Sequence, residues 1–167
     1  MSGYGTYDKW VLSDHNCDDG LAGTGVAALA LEASAGVKRT WTIYEPVEVT
    51  RVGIHVTVAF AYATQTAEGV ITFKKYVAYG SSAGAVTLGR FALTDATPAG
   101  EVLFVDVNTK DGRGAVKTGE QIVAEITTAA TGGGGIAGDF RCYVCWNPRA
   151  EVAGNQAYMT KATDTAT

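Results

Sequence analysis

Apolar residues in this chain recur at every second position in short runs, and no stretch of ten residues carries the three-to-four spacing of a helix. The first clear run pairs Val37, Arg39, Trp41 and Ile43 against Lys38, Thr40, Thr42 and Tyr44, which puts Trp41 and Ile43 on one face of a strand. Pro46 then interrupts the ladder, as suits a strand start or a sheet edge.

The segment after Pro46 changes phase. Val47 and Val49 occupy odd positions, whereas Val52, Ile54, Val56, Val58 and Phe60 occupy even ones. A slip of one residue in a continuous strand would turn its core face outward, so the pattern predicts a β-bulge near Thr50-Arg51 or a bend between sheets. A second slip separates Val86 and Leu88 from Phe91 and Leu93, with Gly89 between them. Kinked strands of this kind suit a sandwich or barrel rather than a flat sheet.

Further strands are predicted at residues 70–79, 102–107, 121–128 and 139–146. Turn-forming clusters separate them at Thr66 to Gly69, Gly80 to Gly84, Thr97 to Gly100 and Asp111 to Gly114. Eight or nine short strands with such punctuation read as an all-β chain folded as an antiparallel β-sandwich. Long connections around residues 15–25, 109–119 and 129–138 favour Greek keys over a meander, and so a jelly roll. Residues 1–25 read as an extended N-terminal arm and loop, with Tyr7 to Leu12 as a loosely held first strand. Residues 26–148 form the sandwich, and residues 149–167 a C-terminal extension without alternation.

Composition agrees. The 167 residues include 45 of the β-branched types Val, Ile and Thr, 21 Gly and only 7 Leu, while charged residues are 18% of the chain. So little charge beside ample apolar surface suits a subunit covered by neighbours. The net charge is −4 and no Lys/Arg run exceeds two residues, so the concentrated basic face that phosphate neutralisation requires is missing and no nucleic-acid partner is expected. The first ten residues carry no basic segment followed by an apolar one, and the apolar stretch Val26 to Leu31 is too short to span a bilayer; neither an export signal nor a membrane partner is expected. Three cysteines without an export signal read as reduced thiols made in a cytoplasm.

Candidate chemistry is sparse. Cys142 and Cys145 could join His15 and Cys17 around zinc, but three residues apart on one strand they point to opposite faces, so Cys142 reads as core and no metal is expected. Asp106 to Gly112 begins like a calcium loop, yet its sixth position is Asp111 rather than Gly and its twelfth is Lys117. There is no Gly-x-Ser-x-Gly elbow or phosphate-binding Gly-rich loop, and the four glycines from Gly132 read as a hairpin tip. The chain reads as a non-enzyme without a cofactor. What remains is surface: Glu48, His55 and Thr57 oppose the apolar set on the long strand, and Arg141 and Tyr143 oppose Phe140, Cys142, Val144 and Trp146. These five are the candidate interface positions.

The stretch Thr40 to Ile54, with its Pro46-Val47 strand start, and the stretch Cys145 to Asn155, with its Pro148-Arg149 turn, resemble small jelly-roll proteins of tailed bacteriophages, in particular capsid decoration (cement) proteins and related virion surface proteins. The resemblance extends over residues 25–155 and rests on strand spacing and turns; it assigns no functional residue. It implies a homotrimer, made in the host cytoplasm, that sits on the capsid exterior, binds the major capsid protein of its own virion and stabilises the shell. A tail or receptor-binding appendage subunit and a carbohydrate-binding jelly roll using Trp10, Trp41 or Trp146 are the alternative expectations.

Overall fold

Alternation dictates two-faced strands, and two-faced strands must bury one face against another layer. The computed structural model, which describes residues 10–13, 28–31, 33–61, 65–78, 81–94, 97–132 and 136–148, meets that demand with antiparallel strands and no helix among them. In chain order the strands are β1 (Trp10–Ser13), β2 (Leu29–Ala30), β3 (Lys38–Thr42), β4 (Val47–Ala61), β5 (Gln65–Ala67), β6 (Gly69–Tyr76), β7 (Val86–Leu93), β8 (Val102–Asp106), β9 (Ala115–Val116), β10 (Gln121–Thr128), β11 (Thr131–Gly132) and β12 (Ala137–Pro148).

One sheet runs β1-β12-β4-β8, with β2 also on β12 and β9 also on β4; the second runs β3-β10-β6-β7, and β5 pairs β11 separately. The pairing is nested: β1 and β2 pair with β12, β3 with β10, β4 with β8, and β6 with β7. The chain therefore passes repeatedly between two sandwich-like layers. Between them lie Val49, Val52, Ile54 and Val56 of β4, Phe140, Cys142 and Val144 of β12, Ile71 and Phe73 of β6, and Ile122, Ala124 and Ile126 of β10, with Trp41 of β3 among the most deeply buried. Phe73 meets Phe91, and Phe60 meets Phe140, both edge to face.

The phase slips resolve as extra residues. Cys145 and Trp146, consecutive on β12, pair with Arg51 and Val49, so Thr50 is the additional residue and both valine sets face the core. On β7 the consecutive partners Phe73 and Lys74 pair with Gly89 and Thr87, which leaves Leu88 additional. A Cβ on Gly89 would come within 2.6 Å of Val52 Cγ2, so at this kink β7 lies close against the opposite sheet.

Several expectations need correction. Val58 is 49% exposed instead of core-facing, because β4 holds a further extra residue at Thr57 and another between Val58 and Ala61. Residues 65–67 form a strand where a turn is expected, and the strand expected over 70–79 ends at Tyr76. Within the predicted arm, Trp10–Ser13 pairs with β12; residues 1–9, 14–27 and the extension at 149–167 lie outside the described residues, as do three of the four consecutive glycines.

Candidate interaction surface

Inward residues of β4 and β12 are consumed by the core, so the alternate residues make the outer face of the six-stranded sheet. Hydrogen-bond register arranges them in rows across three strands. Arg141 of β12 stands beside His55 of β4, which stands beside Val102 of β8. Tyr143 stands beside Gly53 and then Phe104, and Arg51 stands beside Asp106. Toward one end Val58 pairs with Asp139; toward the other Glu48 lies between Asn147 and Ala115.

Four of the five sequence candidates thus fall on one face, with His55 exposed and Glu48, Arg141 and Tyr143 half-buried; Thr57, the extra residue of β4, is exposed but has no register partner. The sequence pattern gives no warning of their apolar companions. Val58, Val102 and Phe104 are each about half exposed, at 49%, 49% and 50%. An exposed aromatic flanked by valines and rimmed by charge is the composition of a contact patch. β8 was legible as a strand, but its place at the sheet edge is a tertiary fact that local pattern does not carry.

Part of the face is fixed in place. The Arg51 guanidinium lies over the Phe104 ring, 4.1 Å from its centroid, while its Nε donates to Asp106 Oδ1 at 2.8 Å. Gly53 leaves room for the Tyr143 ring to lie across the strand, and the Tyr143 hydroxyl reaches the Leu103 carbonyl oxygen at 3.5 Å. Rigid anchors of this kind lose little conformational freedom when a partner covers them.

The outer face of the four-stranded sheet is polar and internally paired. Lys74 Nζ meets Glu125 Oε2 at 2.8 Å, Thr72 shares a hydrogen bond with Thr127, and Gln121 Nε2 donates to Thr42 Oγ1. It offers no exposed large apolar side chain among its strands.

A second feature lies at one end of the sandwich. Thr42, Ile43, Tyr44, Glu45, Val47 and Trp146 line an open cleft of about 230 Å³, with Tyr44 at its lip and 77% exposed. Tyr44 occupies the bend after β3 rather than the strand itself. Trp41, by contrast, is fully enclosed and cannot act as a stacking platform.

The cysteines Cys142 and Cys145 are buried thiols on opposite faces of β12, and Cys17 lies outside the described residues. Among the described residues no three His, Cys, Asp or Glu side chains gather to hold a metal ion. In the former calcium-loop candidate, Asp106 is engaged by Arg51 and Asp111 by Arg113 at 2.7 Å. No described helix is long and apolar enough to cross a membrane.

No protein-family model, curated protein or solved structure matches this chain.

Proposed function

We propose that this chain is a jelly-roll surface protein of a tailed-bacteriophage virion that binds the major capsid protein on the capsid exterior and stabilises the shell. The nested pairing supports the jelly-roll part: β1 with β12, β3 with β10, β4 with β8 and β6 with β7 is the order of a long hairpin wound into two Greek keys. The capsid part rests on one observation above the others, the apolar and charged outer face of the six-stranded sheet, centred on His55, Val58, Val102 and Phe104.

The mechanism is adhesion. A rigid sandwich offers the same face to every equivalent position of a shell, and many modest contacts add by multivalency. Binding the assembled shell and not its dissociated subunits stabilises it by mass action. A net charge of −4 suits an exterior position, away from packaged DNA.

The test compares heat disassembly of shells stripped of this protein with shells resaturated by it. A rise in disassembly temperature is expected, and equal temperatures overturn the reading. Label found on the tail by electron microscopy transfers the reading to an appendage subunit.

One observation favours carbohydrate binding as a second reading, namely the exposed Tyr44 ring beside Trp146 and Glu45 in the end cleft. A saturable hit on a glycan array that disappears in Tyr44→Ala would establish it.

A further inference from the structure

Edge strands carry unpaired backbone groups, and proteins ordinarily guard them with charge, bulges or brevity. The described edges of this sandwich follow that practice with one exception. β3 is guarded by Lys38 and Arg39, β7 by its extra residue at Leu88 and by Arg90, and β1, β2 and β9 are two to four residues long. β8 reads Val102-Leu103-Phe104-Val105-Asp106, four apolar residues in succession, and pairs with β4 without any register shift. Leu103 and Val105 pack against the core from one face, while Val102 and Phe104 stand half exposed on the other. A strand apolar on both faces has the composition of a sheet interior, yet among the described residues nothing pairs with its far edge.

Register shows which backbone groups are open. Val56 N donates to Glu101 O, and Val107 N to Thr50 O. The odd-numbered residues of β8 therefore bond to β4, and the N–H and C=O groups of Val102, Phe104 and Asp106 point off the sheet.

We propose that β8 is a self-association edge, on which a second copy of this chain adds its own β8 antiparallel about a two-fold axis at Phe104. In that register Phe104 lies beside the partner's Phe104, and Val102 beside the partner's Asp106. Three outward-pointing residues from each copy face one another in hydrogen-bonded positions. The charges are compatible. The row Arg141, His55, Val102 continues into the partner's Asp106 and then the partner's Arg51, so each carboxylate stands between an apolar valine and its own arginine and opposite no acidic residue. The middle row becomes Tyr143, Gly53, Phe104 followed by the same three reversed. The symmetry makes the contact closed rather than fibrous. Five residues a side is well short of the roughly 20–30 of a permanent interface, so the dimer is weak and concentration-dependent in solution.

The inference is independent of the capsid reading: a chain that dimerises without touching any shell upholds the one and not the other. The experiment is amide hydrogen exchange on the full chain across a concentration series, with mass measured in parallel. The expected result is a monomer–dimer equilibrium in which the amides of Val102, Phe104 and Asp106 slow by about tenfold or more on dimerisation, while those of Leu103 and Val105 are protected at every concentration. Val102→Glu, which sets a second carboxylate beside the partner's Asp106 at a half-exposed edge position, is expected to raise the dissociation constant at least tenfold with an unchanged melting temperature. A monomer at all concentrations, a trimer, open-ended aggregation, or protection without the alternating pattern would each overturn the proposal.

Discussion

The ring of Tyr143 lies across the backbone of Gly53, where a Cβ would run into its Cζ and hydroxyl and into the Leu103 carbonyl oxygen. The two residues are direct register partners on β12 and β4. Glycine inside a strand normally weakens it, and here the missing side chain is what lets the tyrosine pack flat. Gly53→Ala is expected to cost about 1–3 kcal/mol in urea unfolding, the usual penalty of overpacking. Adding Tyr143→Ala to that variant recovers part of the loss, since the ring is then gone but the carbonyl remains. Strictly additive losses would show that the two positions do not communicate.

Gly89 and Val52 make a comparable pair across the sandwich, with only 2.6 Å available between a Cβ and Val52 Cγ2, and 3.4 Å to Val105 Cβ. Gly89→Ala is expected to destabilise by about 1–3 kcal/mol, because both neighbours belong to the packed interior. Val52→Ala opens a space on the facing strand. The double variant should be more stable than the sum of the single effects by at least about 0.5 kcal/mol, as read from denaturant midpoints.

Deleting Thr50 tests the bulge directly. Thr50 is the residue that β12 does not count, and without it Val47 and Val49 fall out of phase with Val52, Ile54 and Val56. One of the two sets must then leave the core, at about 1.5–3 kcal/mol for each valine exposed. Against a typical domain stability of about 5–15 kcal/mol, cooperative unfolding should be lost or its midpoint sharply lowered. Deleting Lys110 from the exposed turn after β8 is the control and should be tolerated.

The same bulge marks what the chain's pattern can and cannot reveal. Thr50 was legible because valines stand on both sides of it, so the parity change is visible without knowing the partner strand. The extra residue at Thr57 left no such trace: Val56, Val58 and Phe60 keep even parity, and only pairing with β12 shows that Val58 has turned outward. Gly138, with φ of +137° and a Cβ position 2.6 Å from Phe60 Cδ1, sits opposite the next irregularity, between Val58 and Ala61. The site follows the same logic. Glu48, His55, Arg141 and Tyr143 could be assigned to outer faces from alternation alone. Phe104 and Val102 could not, since a run of four apolar residues looks like a buried strand until its place at the sheet edge is known.

The two described thiols should behave as core side chains. Cys142 is fully enclosed and Cys145 nearly so, on opposite sides of β12. Alkylation resolved by mass spectrometry should leave both unmodified in the folded protein and modify both in denaturant. Ready modification of Cys142 under native conditions would contradict the packing described for β12.

The outer face separates stability from attachment. His55 and Val58 are exposed and take no part in the core, so His55→Glu and Val58→Glu should each shift unfolding by no more than about 0.5 kcal/mol. If this face meets the shell, a buried unpaired charge on either residue should weaken attachment tenfold or more in a sedimentation assay with stripped capsids. Tyr44→Ser supplies the internal comparison, because Tyr44 projects from the bend after β3, in the end cleft beside Trp146, away from His55 and Val58. Attachment that survives both glutamate variants but fails in Tyr44→Ser would move the contact from the sheet face to that cleft.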